Sequence, residues 1–278
     1  MASPLTKKSL VESFRRLGIR SGTRLVVHSS MRSLGPVEGG AETVLEALIA
    51  CIGPNGLLIM PTFTYFNEEF DPESTPGRTG ILPELLRKRP GAVRSLHPTH
   101  SVTAFGERAA AICDGHHLVP GLGVDSPLDR IAKADGGILL LGVGHTSNST
   151  VHVGEAYADV PYGDIPFNPH WPRRIKVRLG GTEYAEMEVR NPPGCSRAFG
   201  AIEAVLRERG AIRDGLIGNA IVQWMRGEDV IGATVELLRE NPTALLCTDP
   251  HCYRCSRGRK RIGRARGIRS PDRTGADV

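Results

Sequence analysis

Two residues in one short stretch have the types and spacing needed for proton transfer. His152 and Glu155 stand three apart within Gly142–Glu155 (GVGHTSNSTVHVGE), so on a helix they share a face. A carboxylate beside an imidazole favours the imidazolium and fixes the ring's orientation, as a proton-accepting histidine requires. A surface ion pair would use the same two residues. Three further segments collect serine, histidine, arginine and glycine beside strand-like runs. His28-Ser29-Ser30-Met31-Arg32-Ser33-Leu34-Gly35 follows one such run, with Gly39-Gly40 opening the next helix. Its N–H groups and hydroxyls suit an anion such as phosphate, although the same residues also serve as ordinary caps. Arg94-Ser95-Leu96-His97-Pro98-Thr99-His100-Ser101 could hold a phosphorylated cofactor or be a hydrogen-bonded surface loop. Asp114–Leu128 carries His116 and His117, and its Ser126-Pro127 pair reads as a helix N-cap followed by proline.

Metal chemistry has its own candidates. Cys247, Cys252 and Cys255, with His251 adjacent, are close enough in sequence to ligate zinc, and Cys195 could complete four thiolates. The C-x2-C half is a zinc-knuckle spacing. The Cys247–Cys252 spacing is unusual, so the sequence favours a reduced, metal-free cluster with Cys195 lying apart. Six cysteines, unevenly spread over 278 residues, do not suggest a disulfide framework.

The elements that must position these residues alternate between strand and helix. Arg24–His28, Leu57–Met60, Ser101–Phe105 and Ile138–Leu141 read as strands, the last a fully buried ILLL run. Gly40–Ile52, Ile81–Arg87, Glu107–Cys113 and Ser149–Asp159 read as helices between them. This order predicts an α/β fold, a three-layer α/β/α sandwich with a mainly parallel central sheet. The texture changes after Asp159, where Pro161, Pro166, Pro169 and Pro172 interrupt regular structure. Arg174–Leu179 and Thr182–Val189 then read as a hairpin joined at Gly180-Gly181. A helix over Ser196–Arg209, a strand over Ala220–Met225 and a helix over Asp229–Arg239 form a small C-terminal β/α subregion on the same body.

Composition bounds the class. The 278 residues are 40% hydrophobic and 23% charged, a soluble globular balance. Apolar runs are too short to span a membrane, and the N-terminal stretch lacks a secretory h-region, so a cytoplasmic location is expected. The net charge of +5 divides unevenly: nine basic and two acidic residues fall from Arg254 onward, leaving the rest at −2. Residues 258–278 are therefore expected to be a basic, disordered tail following a body over 1–257, and no nucleic-acid partner is expected.

HSSMRSLGPVEGGAETVLEAL, GLLIMPTFTYFNEEFDP, GILPELLRKRPGAVRSLHPTHSV, GVDSPL and LLLGVGHTSNSTVHVGE occur in that order between roughly residues 8 and 250. Together they resemble the aminoglycoside 3-N-acetyltransferases of the antibiotic N-acetyltransferase family. The resemblance implies an α/β/α sandwich that binds acetyl-CoA and transfers the acetyl group directly to an aminoglycoside amine. It implies that His28, Ser29, Ser30, Leu34 and Gly35, with Arg94, Ser95 and Ser101, line the acetyl-CoA site. His152 matches the family's catalytic histidine and Glu155 its helical neighbour. His117, Glu186 and Glu188 fall near the aminoglycoside, in or beside an acceptor-binding insertion over about 160–194. On this reading His152 takes the proton from the attacking amine, while His28, Ser29 or a loop N–H stabilises the thioester oxyanion. Asp71, with Glu68, Glu69, Asp125, Glu155, Glu186 and Glu188, could give the acceptor cleft the negative charge a polycation needs. The expected assembly is a monomer or homodimer that does not engage a membrane. Acetylation of a non-antibiotic amine, non-catalytic CoA binding and a zinc-dependent amide hydrolase are the alternatives. The His152–Glu155 pair argues against the second, and the lack of an HExxH-type set argues against the third.

Overall fold

The computed structural model describes residues 3–189 and 193–265. In chain order its strands are β1 (Arg24–Ser29), β2 (Leu57–Pro61), β3 (Glu69–Phe70), β4 (Val93–Arg94) and β5 (Val102–Gly106). They continue with β6 (Gly137–Leu141), β7 (Arg174–Gly180), β8 (Glu183–Glu188), β9 (Arg213–Ile217) and β10 (Ala220–Arg226). The helices are α1 (Lys7–Arg16), α2 (Met31–Leu34), α3 (Gly40–Ile52), α4 (Ile81–Arg87) and α5 (Ala109–Cys113). Then come α6 (Pro127–Lys133), α7 (Thr150–Tyr157), α8 (Ile202–Glu208), α9 (Gly227–Glu240) and α10 (Tyr253–Ala265).

The aliphatic runs of β1, β2 and β6 form the middle of a seven-stranded sheet ordered β4-β5-β2-β1-β6-β10-β9. Successive side chains of a strand face opposite sides, and both sides are filled. Leu25, Val27, Leu139 and Leu141 pack with Leu10, Phe14, Val44 and Leu48 of α1 and α3. Val26, Ile138 and Leu140 pack on the other side with Ile131, Val151, Ile202 and Val230 of α6, α7, α8 and α9. The expected three layers follow from this two-sided burial. The parallel part is the central trio, in which β1 pairs in parallel with both β2 and β6. Antiparallel strands flank it on both sides, β5 and β4 beyond β2, β10 and β9 beyond β6. The β9–β10 pair is a hairpin turning at Gly218-Asn219, with Gly218 at a φ of +58°, and a hairpin can only be antiparallel. The C-terminal β/α subregion thus continues the main sheet through β10 and β6.

The hairpin read from alternation is present as β7 and β8, and β3 joins it to make a second sheet ordered β3-β7-β8. Its own core is Phe70, Trp171, Ile175, Val177 and Val189. Strand β3 is two residues long, too short to leave a periodic signal.

The C-terminal boundary needs correction. The chain does not leave the body at 258, because α10 runs through Ala265. Arg254, Gly258 and Ile262 recur every four residues and share one face. Ile262 is buried in the main core, and Gly258 lies against Leu246 and Tyr162. Arg259 donates to the Cys247 carbonyl at 2.5 Å and Arg261 to the Pro161 carbonyl at 2.9 Å. One isoleucine among many arginines hid this face from a reading based on composition. Residues 266–278 lie outside the described residues. No helix among the described residues is long and apolar enough to cross a membrane.

Candidate active site

Helix α7 starts beyond the end of β6, where Asn148 is fully buried and its side-chain oxygen accepts the Thr150 N–H at 3.2 Å. The first two turns carry His152 and Glu155. His152 Nδ1 lies 2.7 Å from Glu155 Oε2, and both side chains are buried. The imidazole also meets the edge of Phe199, with ring centroids 4.6 Å apart. Behind Glu155 stands Arg254 of α10, its Nη2 3.4 Å from Glu155 Oε1. Burial pushes the Glu155 carboxyl up, but Arg254 and the His152 hydrogen bond outweigh it and hold it below the ordinary range. An ionised carboxylate can only accept, so the His152 ring proton sits on Nδ1 and Nε2 carries the free lone pair.

His152 forms part of the walls of two clefts. The main cleft, about 570 Å³, has the sheet end on one side, with His28, Ser29 and the turn Thr146–Ser149. Its other side is aromatic: Phe63, Tyr65, Phe66, Phe167 and Trp171. Trp171 and His100 stack nearly parallel, 5.4 Å between centroids, which fixes that wall to the loop ahead of β5. The second cleft, about 620 Å³, lies on the Glu155 side of the imidazole and adds Asp159, Asp164 and Arg254.

His28 and Ser29 reach the main cleft because β1 ends there. The His28 imidazole is buried and its Nε2 has no partner. Burial lowers its pKa to about 4, so the ring is neutral near pH 7. The other residues expected around the cofactor are placed differently. Ser30 leads into α2, its N–H bound to the Leu141 carbonyl at 2.9 Å and its hydroxyl 3.1 Å from that of Ser33. Leu34 is core, and Gly35 ends α2 at a φ of +82°, where a side chain would strike Asn219. Arg94, Ser95 and Ser101 turn inward, away from both clefts. Arg94 donates to the Thr62 carbonyl at 2.8 Å, the Thr75 carbonyl at 2.5 Å and Ser101 Oγ at 3.0 Å, and lies over Phe70. Ser95 Oγ accepts from the Val102 N–H at 2.9 Å and pairs with His116 Nδ1 at 2.8 Å. Ser101 Oγ donates to the Thr62 carbonyl at 2.9 Å. With their polar groups committed inside the chain, these three residues hold the loop together.

The acidic residues expected near the acceptor are also elsewhere. Asp71 accepts from the Glu73 N–H, Ser74 Oγ and Arg178 Nη1, the last at 2.7 Å, and so ties the β3 region to β7. Burial opposes its charge, but these donors prevail and hold the carboxyl at about 2. Glu186 and Glu188 alternate with the inward Met187 and so lie on the outer face of the small sheet, where Glu186 pairs with Arg174. His117 lines neither cleft, and its Nδ1 is buried without a partner. The carboxylates beside His152 are instead Glu155, paired with Arg254, Asp164, paired with Arg261, and Asp159.

Sequence reading missed Arg254, which its basic surroundings made look like a surface charge. The spacing was the available signal: Cys252-Tyr253-Arg254-Cys255 places the arginine between two buried cysteines. Those cysteines correct another expectation. Cys195 does not lie apart, since its sulfur is 3.7 Å from that of Cys247, and all four sulfurs fall within 4.8 Å of one another. His251 is exposed and outside the cluster.

A family model described as aminoglycoside 3-N-acetyltransferase matches residues 26–239. The chain belongs to that family. An aminoglycoside N(3)-acetyltransferase IV from Salmonella is 32% identical over 243 residues, covering 86% of this chain and 90% of that protein. Among solved structures, aminoglycoside acetyltransferase AAC(3)-IVa, a histidine-to-alanine mutant in complex with a gentamicin, superposes with a TM-score of 0.82. It is 31% identical and covers 94% of this chain and 99% of its own. The AAC-IIIb binary complex with CoASH has a TM-score of 0.74 at 27% identity, covering 86% of this chain and 97% of its own. Membership makes this chain an acyltransferase with a mixed α/β fold.

Proposed function

We propose that this acyltransferase moves the acetyl group of acetyl-CoA directly to the 3-amino group of an aminoglycoside, with His152 as general base. One observation carries the reading: the 2.7 Å hydrogen bond from His152 Nδ1 to Glu155, in a ring that borders both clefts. Family relatives bound to CoASH and to a gentamicin supply the two substrate classes.

An aminoglycoside amine is largely protonated near pH 7 and must shed a proton to attack. That proton passes to solvent before attack; as the neutral amine nitrogen bonds to the thioester carbon, His152 Nε2 takes a second proton from it, and base catalysis of this kind contributes roughly 10²–10⁴-fold. Glu155 stabilises the imidazolium that forms. The carbon–sulfur bond then breaks, and the imidazolium returns the proton to the departing thiolate, so the enzyme ends as it began. His28, neutral and without an Nε2 partner, is placed to donate to the carbonyl oxygen as it gains charge. We assign the sheet-end side of the main cleft to the thioester and its aromatic side to the acceptor, because aromatic faces attract ammonium groups and cover sugar rings. Asp159 complements the polycation from the second cleft.

The test is thiol release from acetyl-CoA with gentamicin or apramycin as acceptor, followed by assignment of the modified nitrogen. The reading expects acceptor-dependent release and acetylation at the 3-amine. Release that does not depend on an acceptor, or none with any aminoglycoside, would contradict it.

A further inference from the structure

Four cysteines from three separate segments meet beneath the wall of the main cleft. Cys195 lies in the loop before α8, Cys247 in the loop after α9, and Cys252 and Cys255 at the start of α10. All four are buried, with their sulfurs within 4.8 Å of one another. Zinc–thiolate bonds of about 2.3 Å in a tetrahedron place neighbouring sulfurs about 3.8 Å apart. The Cys195 and Cys247 sulfurs are 3.7 Å apart. Thiols are weak donors and acceptors, so four packed together gain little from one another without an ion. The surroundings also match the charge. Four thiolates around a divalent cation make a doubly negative centre; Arg259, on the Cys247 carbonyl, and Arg257 lie in the same segments, while Arg197 and Arg254 are paired with Asp249 and Glu155. The Arg197 N–H donates to Cys195 Sγ at 3.5 Å, the kind of outer contact that orients a ligand sulfur.

We propose that Cys195, Cys247, Cys252 and Cys255 bind one structural zinc ion, and that the ion locks Arg254 against Glu155. Four protein ligands leave no open position for substrate, so the metal does no chemistry itself. Its effect passes through the backbone. Cys252 and Cys255 flank Arg254, whose guanidinium donates to the Gly163 carbonyl at 3.3 Å and the Ile165 carbonyl at 2.5 Å besides facing Glu155. Gly194, next to Cys195, makes room for it, since a Cβ there would overlap the guanidinium. Arg254 is therefore a positioning residue, holding the carboxylate that orients His152. This second half rests on the reading of His152 as the base; metal binding does not.

The two halves separate experimentally. Elemental analysis of the protein purified without chelator should find about one zinc per chain, and blocking the thiols of the folded protein with a mercurial should release it stoichiometrically. Cys252→Ser/Cys255→Ser should lose the metal, whereas His152→Ala should keep it. Less than about a tenth of a zinc per chain, or release independent of thiol blocking, overturns the site. For the positioning role, the measurement is the pH dependence of kcat/KM in Arg254→Gln. The titratable and charged groups around His152 are Glu155 on its own helix, Arg254 from α10, His100 ahead of β5, His28, Tyr65 and Arg197 along the main cleft, and Asp159 and Asp164 along the second. Removing the Arg254 charge favours proton uptake by the His152–Glu155 pair, whichever member holds the proton. The acid limb should move up by about one pH unit. Arg254→Lys, which keeps the charge, should restore most of the profile. An unmoved acid limb in Arg254→Gln, with zinc retained, overturns the link.

Discussion

At the end of β1 the chain sets His28 and Ser29 on the wall of the main cleft, whereas ahead of β5 Arg94, Ser95 and Ser101 turn inward and hydrogen-bond within the chain. In sequence the two segments look alike, each a short run rich in serine, histidine and arginine beside a strand. Their hydrogen bonds distinguish them. His28 Nε2 is buried with no partner, a costly state unless a ligand completes it. Arg94 has the Thr62 and Thr75 carbonyls and the Ser101 hydroxyl, and Ser95 has Val102 and His116. Polar residue types mark both segments; Arg94, Ser95 and Ser101 are spent on the chain itself, and from that segment only His100 reaches the cleft, whereas His28 combines a place in the cleft wall with an unpartnered nitrogen.

The largest effect that would sharpen this contrast is on catalysis at the open loop. His28→Ala should lower kcat by about 10²-fold, the low end for losing an oxyanion donor, while the melting temperature changes little. A large stability loss with normal turnover would reverse the assignment. The closed loop should behave in the opposite way. Arg94→Ala strands several buried carbonyls and should cost about 2–4 kcal/mol in denaturant unfolding, with KM for acetyl-CoA unchanged. A raised KM in folded protein would return Arg94 to the cofactor site. Deleting everything after Arg257 removes the buried Ile262 and the Arg259 and Arg261 contacts, so thermal melting should fall by several degrees. An unchanged melt would show that α10 beyond 257 adds nothing to the body. Ser95→Ala should cost about 1–3 kcal/mol, from leaving His116 Nδ1 and the Val102 N–H unpaired, with turnover intact.

Much of the fold was legible because its signals are local. The ILLL run and its companions had to be buried strands, and the glycine pair marked a hairpin, although the turn itself falls one residue on, at Gly181-Thr182. The His152–Glu155 pair was legible for the same reason, since a separation of three on a helix fixes a contact. The rest depended on distant partners. Nothing near Arg94 in sequence announces the carbonyls of Thr62 and Thr75, and nothing near Glu186 reports which face of the small sheet meets the cleft. Arg254 is the sharpest case: its partner Glu155 lies 99 residues away, and its basic neighbours concealed it. The cysteines were expected to be dispersed but converge, because spacing along the chain says nothing about loops that meet in space.

The most direct test of the central claim is acetyl transfer by His152→Ala, measured as thiol release with saturating acetyl-CoA and gentamicin beside an independent measurement of CoA binding. General-base catalysis through the Glu155-oriented ring predicts at least about a 10²-fold fall in turnover with CoA affinity retained. Turnover close to that of the unmodified enzyme would contradict it.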